Sequence, residues 1–163
     1  MSEIKALLAE ALQGARRVAV LGCGSELRGD DAAGMVIAER LAGLDGNVLV
    51  LRGSNAPENF TGEIKRFKPD TLLVIDAADM KARPGEAAII PPDRIDGVSF
   101  STHILPLKIM LDYLRREIGC GIVLLGIQGA NYEFRAGASL TPEVQGAADS
   151  IVNALCELLG ENR

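Results

Sequence analysis

Five short apolar runs constrain the fold of this chain more than any other feature. They are RVAVLG (17–22), NVLVLR (47–52), TLLVID (71–76), AAIIP (87–91) and GIVLLGI (121–127). Their apolarity is continuous rather than alternating, and β-branched residues are frequent, as in strands covered on both faces. Helical periodicity fills most of the gaps. Ala33, Val36, Ile37 and Leu41 share a stripe in 30–43, and Phe60, Ile64 and Phe67 share one in 57–67. Leu107, Met110, Leu111, Leu114 and Ile118 do so in 105–118, and Val144, Ala148, Ile151, Leu155 and Leu159 follow a Thr141-Pro142 helix start. A further amphipathic helix opens the chain, with Ile4, Leu7, Leu8, Ala11 and Leu12 on one face.

Strand–helix alternation of this kind predicts an α/β protein: a three-layer α/β/α sandwich around a mostly parallel, partly mixed, five-stranded twisted sheet. The run at 87–91 follows the third strand after a Pro84-Gly85 turn and is expected to pair antiparallel. No repeat, low-complexity tract or linker divides the chain, so residues 1–163 read as a single domain. A formal net charge of -5 argues against nucleic acid or anionic lipid as a partner. No apolar run reaches the length of a membrane span, and no secretory signal pattern opens the sequence. Three unpaired-looking cysteines then point to a reducing cytoplasm.

The first strand runs into LGCGSELRGDDAAG (21–34), a glycine turn followed by two carboxylates. A dinucleotide fingerprint would need glycine at 27, where Leu stands, and no Walker lysine is present. The glycines could equally serve only to turn the chain, and Asp30 and Asp31 could cap the following helix. Asp76 closes the third run, at the sheet edge where α/β proteins bind ligands. Asp79 follows as a second acid there. The lone histidine, His103, heads the next helix, with Ser101 or Thr102 as its cap. A right-handed α/β sheet would gather Asp31, Asp76 and His103 at one edge. Two carboxylates and an imidazole suit a borderline divalent metal such as nickel or zinc and leave a coordination position open. A competing chemistry uses Cys23 in the turn as a nucleophile with His103 as base, although acidic neighbours would raise its pKa. Cys120, and Cys156 on the apolar side of the last helix, read as structural.

The segments GCGSELRGDDAAG, GSNAPENF, LLVIDAADM…PGE, STHILPL and LLGIQ resemble, in order and spacing, the hydrogenase maturation endopeptidases. The likeness is greatest to the branch serving formate-hydrogenlyase (hydrogenase-3-type) enzymes, and it spans nearly the whole chain. Three positions depart from the family pattern: Ser25 replaces an Asn, Ala32 a common Gly, and Gly129 a frequent Pro after GIQ. The resemblance implies an α/β/α endopeptidase that removes the C-terminal tail of a NiFe hydrogenase large-subunit precursor once nickel is in place. It assigns nickel sensing and catalysis to Asp31, Asp76 and His103. The nickel would arrive with the substrate, and another divalent ion could substitute in vitro. The implied partner is the precursor, met by a cytoplasmic monomer.

No H-E-x-x-H or G-x-S-x-G signature supplies a conventional protease mechanism. Two alternatives therefore stand beside the endopeptidase: a non-catalytic, nickel-dependent chaperone for the precursor, and a Cys23 thiol hydrolase. The long loops Pro92–Thr102 and Gln128–Leu140 are candidates for function. The second offers Tyr132, Phe134 and Arg135 as a grip on a partner or as an ordinary surface loop.

Overall fold

A computed structural model of the chain describes residues 2–100, 104–134 and 139–160. His103 and Arg135, both singled out above, lie outside the described residues, as do Ser101 and Thr102. In chain order the elements are α1 (Glu3–Ala11), β1 (Val18–Cys23), α2 (Ala33–Leu41), β2 (Val48–Ser54), α3 (Thr61–Phe67), β3 (Thr71–Asp79), β4 (Ala87–Ile90), β5 (Ser99–Phe100), α4 (Ile104–Ile118), β6 (Gly121–Gln128) and α5 (Pro142–Gly160). Short 3-10 turns at Gly29–Ala32, Pro57–Phe60 and Pro92–Gly97 precede α2, α3 and β5.

The strands form one sheet in the order β2-β1-β3-β6-β4, with β5 paired to β3. Neighbours from β2 to β6 are parallel. The expected antiparallel strand, β4, pairs with β6 rather than with β3, from which the chain reaches it. The five anticipated strands are present, and the two-residue β5 adds a sixth. It emerges from 92–102, so that segment is not the irregular loop expected: it holds a 3-10 turn and a strand.

The continuous apolar runs serve two cores at once. Along β3, Leu73 and Ile75 pack into the core beneath α1, α2 and α5, while Leu72 and Val74 face the core beneath α3 and α4. In β1, Val18 and Val20 face one layer and Ala19 and Leu21 the other. Full burial of each large aliphatic side chain contributes roughly 1.5–3 kcal/mol, and this two-sided burial selects the sandwich. Among the described residues no helix is long and apolar enough to cross a membrane.

Two glycines let α2 settle onto the sheet. A Cβ on Gly22 would stand 2.1 Å from the Gly34 carbonyl oxygen, and one on Gly34 would stand 2.3 Å from the oxygen of Ile75 and 2.5 Å from that of Cys23. The first turn of α2 therefore lies backbone against backbone over β1 and β3, which carries the preceding acidic turn to the sheet edge.

The candidate active site around two buried aspartates

Pairing between β1 and β3 ends at Gly22 and Ile75. Asp76 is thus the first residue of β3 beyond its neighbour's ladder. The strand does not close there, as the sequence suggested, but continues beside β6 to Asp79. Connections leave β1 and β2 on opposite faces of the sheet, so the gap between β1 and β3 is the switch point at which doubly wound sheets bind ligands. Asp76 is fully buried in that gap.

Gly24 is the hinge that brings the acidic turn to it. Its φ is +117°, and a Cβ there would stand 1.8 Å from the Asp31 carbonyl oxygen and 3.5 Å from Asp76 Oδ1. No side chain fits in that interval. The glycine turn is accordingly not a phosphate cradle: it makes room for the Asp31 backbone beside Asp76.

The two adjacent aspartates have separate tasks, and neither caps a helix by its side chain. Asp30, 0% exposed, accepts the backbone N–H groups of Ala130, Asn131 and Thr141 at 2.8, 2.9 and 2.8 Å. The Thr141 hydroxyl donates to the same carboxylate at 3.0 to 3.1 Å. Asp31, 2% exposed, accepts the Ser25 N–H through Oδ2 at 3.0 Å. Its Oδ1 is buried and has no hydrogen-bond partner among the described residues. A buried acceptor left in that state costs about 1–3 kcal/mol, so its retention calls for a reason outside folding.

Beside Asp31 opens a cavity of about 300 Å³, walled by Arg28, Ala77, Ser99, Phe100 and Tyr132. Burial pushes the Tyr132 phenol above its usual range, and the charges of Asp30, Asp31 and Asp79 push it the same way, against a backbone hydrogen bond from Gly129. Asp79, at the cavity mouth, is held below the usual carboxylate range by the backbone and side chain of Lys81. A larger hollow of about 570 Å³ lies between α1, β4 and α5, lined by residues such as Leu7, Ala87 and Ile151, away from the carboxylates.

The structure thus brings Asp31 and Asp76 to one crevice. The segment carrying His103 is flanked by β5, which is paired to β3 at Ala78 and Asp79, and by the start of α4. Among the described residues no three His, Cys, Asp or Glu side chains group as a metal site. Sequence reasoning missed Arg28 and Phe100 as cavity walls and treated Tyr132 only as surface. Nothing local in the sequence marks them, because β5 and the Asp30 contacts assemble the wall from distant segments.

Cys23 is fully buried in the core beneath α3 and α4, an unsuitable position for a nucleophile. Cys120 is buried as expected, and burial raises its thiol pKa. Cys156, by contrast, is exposed rather than turned to the apolar side of α5. Cys23→Ser is expected to leave the peptide cleavage implied by the resemblance largely intact while lowering stability by about 1–3 kcal/mol through a buried hydroxyl. Denaturant titration alongside a cleavage assay checks both halves, and loss of cleavage in the folded variant would restore the thiol mechanism.

A family model described as hydrogenase maturation protease matches residues 35–158. The chain is 35% identical to a Methanocaldococcus jannaschii protein described as a hydrogenase maturation protease, over 97% of each. It is 43% identical to the hydrogenase 3 maturation protease of Escherichia coli over 112 residues, 67% of this chain and 71% of that one. Among solved structures, a NiFe hydrogenase maturation protease from Thermococcus kodakarensis superposes with a TM-score of 0.83 at 32% identity, covering 94% of this chain and 98% of the other. An endopeptidase from Escherichia coli superposes with a TM-score of 0.73 at 34% identity, covering 90% and 92%.

Proposed function

This chain belongs to the hydrogenase maturation proteases, and from that premise we propose that it removes the C-terminal extension of a NiFe hydrogenase large-subunit precursor after nickel insertion. Asp31, Asp76 and His103 sense the nickel, which enters as part of the substrate. The observation that carries this reading is Asp31: one carboxylate oxygen is tied to Ser25, and the other is buried without a partner among the described residues, at the crevice holding Asp76. Two hard carboxylate oxygens and an imidazole suit a divalent cation that already has thiolate ligands of its own.

Docking of the metal-loaded precursor against these side chains aligns the scissile peptide in the crevice. Water, its proton accepted by a carboxylate, attacks the carbonyl carbon; the C–N bond breaks and the amine leaves with a proton. Alignment by the metal makes the cut a checkpoint, because a metal-free precursor lacks the contact that fixes its position. Family membership favours this enzyme over the non-catalytic chaperone. In this reading the encounter takes place in the cytoplasm and the protein acts as a monomer.

Purified protein incubated with nickel-loaded precursor is expected to release the tail, detected by mass spectrometry, and to leave the nickel-free precursor whole. Equal cleavage of both would remove the sensing role.

A further inference from the structure

Asp30 is absent from the proposed ligand set, yet its buried carboxylate is heavily hydrogen-bonded. Its acceptors collect three backbone N–H groups and one hydroxyl from a segment about a hundred residues away. The contact is reciprocal, since the Asp30 N–H donates to the Asn131 carbonyl at 2.8 Å. Gly29, at φ +53°, brings its backbone so close that a Cβ would stand 2.4 Å from the same carbonyl. The 3-10 turn and the segment 129–134 are thereby fastened along both edges. Asn131 tightens the segment itself by accepting the Glu133 N–H at 2.9 Å.

What this fastening holds in place is Tyr132. A Cβ on Gly129 would stand 2.3 Å from the Tyr132 hydroxyl oxygen and 3.1 Å from the Asp30 Cβ. The phenol therefore lies across the start of its own loop and walls the cavity beside Asp31. The neighbour of the sensing aspartate and the aromatic wall facing it are one mechanical unit.

We propose that Asp30 is a positioning residue for peptide cleavage: by clamping Ala130, Asn131 and Thr141 it fixes Tyr132 as the wall against which the precursor segment is aligned next to Asp31. The inference rests on the protease reading above. It assigns alignment to the clamp and leaves metal contact to Asp31. A displaced wall misplaces the peptide without removing the ligands, and misplacement of about 1 Å can cost on the order of 100-fold in rate.

The test exploits the aromatic content of the chain, which has two tyrosines and no tryptophan. In a Tyr113→Phe background, which changes a residue of α4 that does not line the cavity, the remaining fluorescence comes from Tyr132. Asp30→Asn, similar in size but presenting an amide to backbone donors, is expected to lower kcat for the nickel-loaded precursor on the order of 100-fold. It should also raise acrylamide quenching of Tyr132. Combined with Tyr132→Ala it should add little to the single loss, because both changes remove the same wall. Thr141→Val takes away one donor and leaves Asp30 in place; it should shift both readouts the same way by less, and Thr141→Ser should restore them. Should Asp30→Asn fail to fold, the Thr141 pair carries the test. Unchanged kcat with raised quenching, unchanged quenching, or fully additive losses with Tyr132→Ala would each overturn the proposal. A wild-type protein that cut no precursor would sink the protease reading instead, leaving the quenching comparison to decide the clamp alone.

Discussion

Asp76→Asn is expected to lower cleavage of nickel-loaded precursor by well over 100-fold while the protein still unfolds cooperatively. Loss of groups that only orient metal ligands typically costs 10- to 100-fold, and loss of a ligand costs more. The amide nearly matches the carboxylate in volume, so packing in the gap between β1 and β3 is preserved. What disappears is the negative charge that the proposed function sets against the divalent ion. His103→Ala should produce a loss of the same order in the same assay, although that side chain lies outside the described residues. Mass spectrometry of the precursor after timed incubation reads the rate, and circular dichroism monitors folding. Processing of the loaded precursor by Asp76→Asn at the wild-type rate would exclude this residue from metal recognition.

Gly34→Ala is expected to be strongly destabilising, because the methyl lands on backbone. The added carbon would meet the backbone oxygens of Ile75 and Cys23 at 2.3 and 2.5 Å, and backbone cannot rotate aside as a side chain can. Overpacking typically costs 1–3 kcal/mol, and this site belongs at or above the upper end, about 3 kcal/mol. The helix must lift from the sheet, which carries Asp31 away from Asp76, so cleavage should fall with stability. Gly43→Ala is the control: a Cβ there meets nothing within 4 Å. It should change stability by less than about 0.5 kcal/mol. Denaturation midpoints of the pair decide the matter, and comparable stabilities would mean that α2 adjusts its seat freely.

The sheet was legible in the sequence because two-sided burial leaves continuous apolar runs, and the stripes of α4 and α5 were equally plain. The gathering of Asp31 and Asp76 followed from topology alone. Three features were hidden for physical reasons. The continuation of β3 past Asp76 depends on pairing with β6, a register that local composition does not encode. β5 is too short to have a periodicity. The role of Asp30 depends on donors from Ala130 to Thr141, a hundred residues on, while its own neighbourhood mimics a helix cap. Thr141, taken as a helix start, does precede Pro142 at the first turn of α5, but its hydroxyl is directed to Asp30.

The pairing of Asp30 with Asp31 has a corollary for substitution. Consecutive, chemically identical residues divide their oxygens differently here: both of the first are spent on a distant segment, whereas the second holds the Ser25 N–H with one and keeps the other without a partner among the described residues. Change at the first is checked by whether a distant segment still finds its acceptors, and at the second by whether the glycine turn still finds its own. A substitution at the latter acid would therefore disturb the glycine turn but not the distant segment that its twin secures.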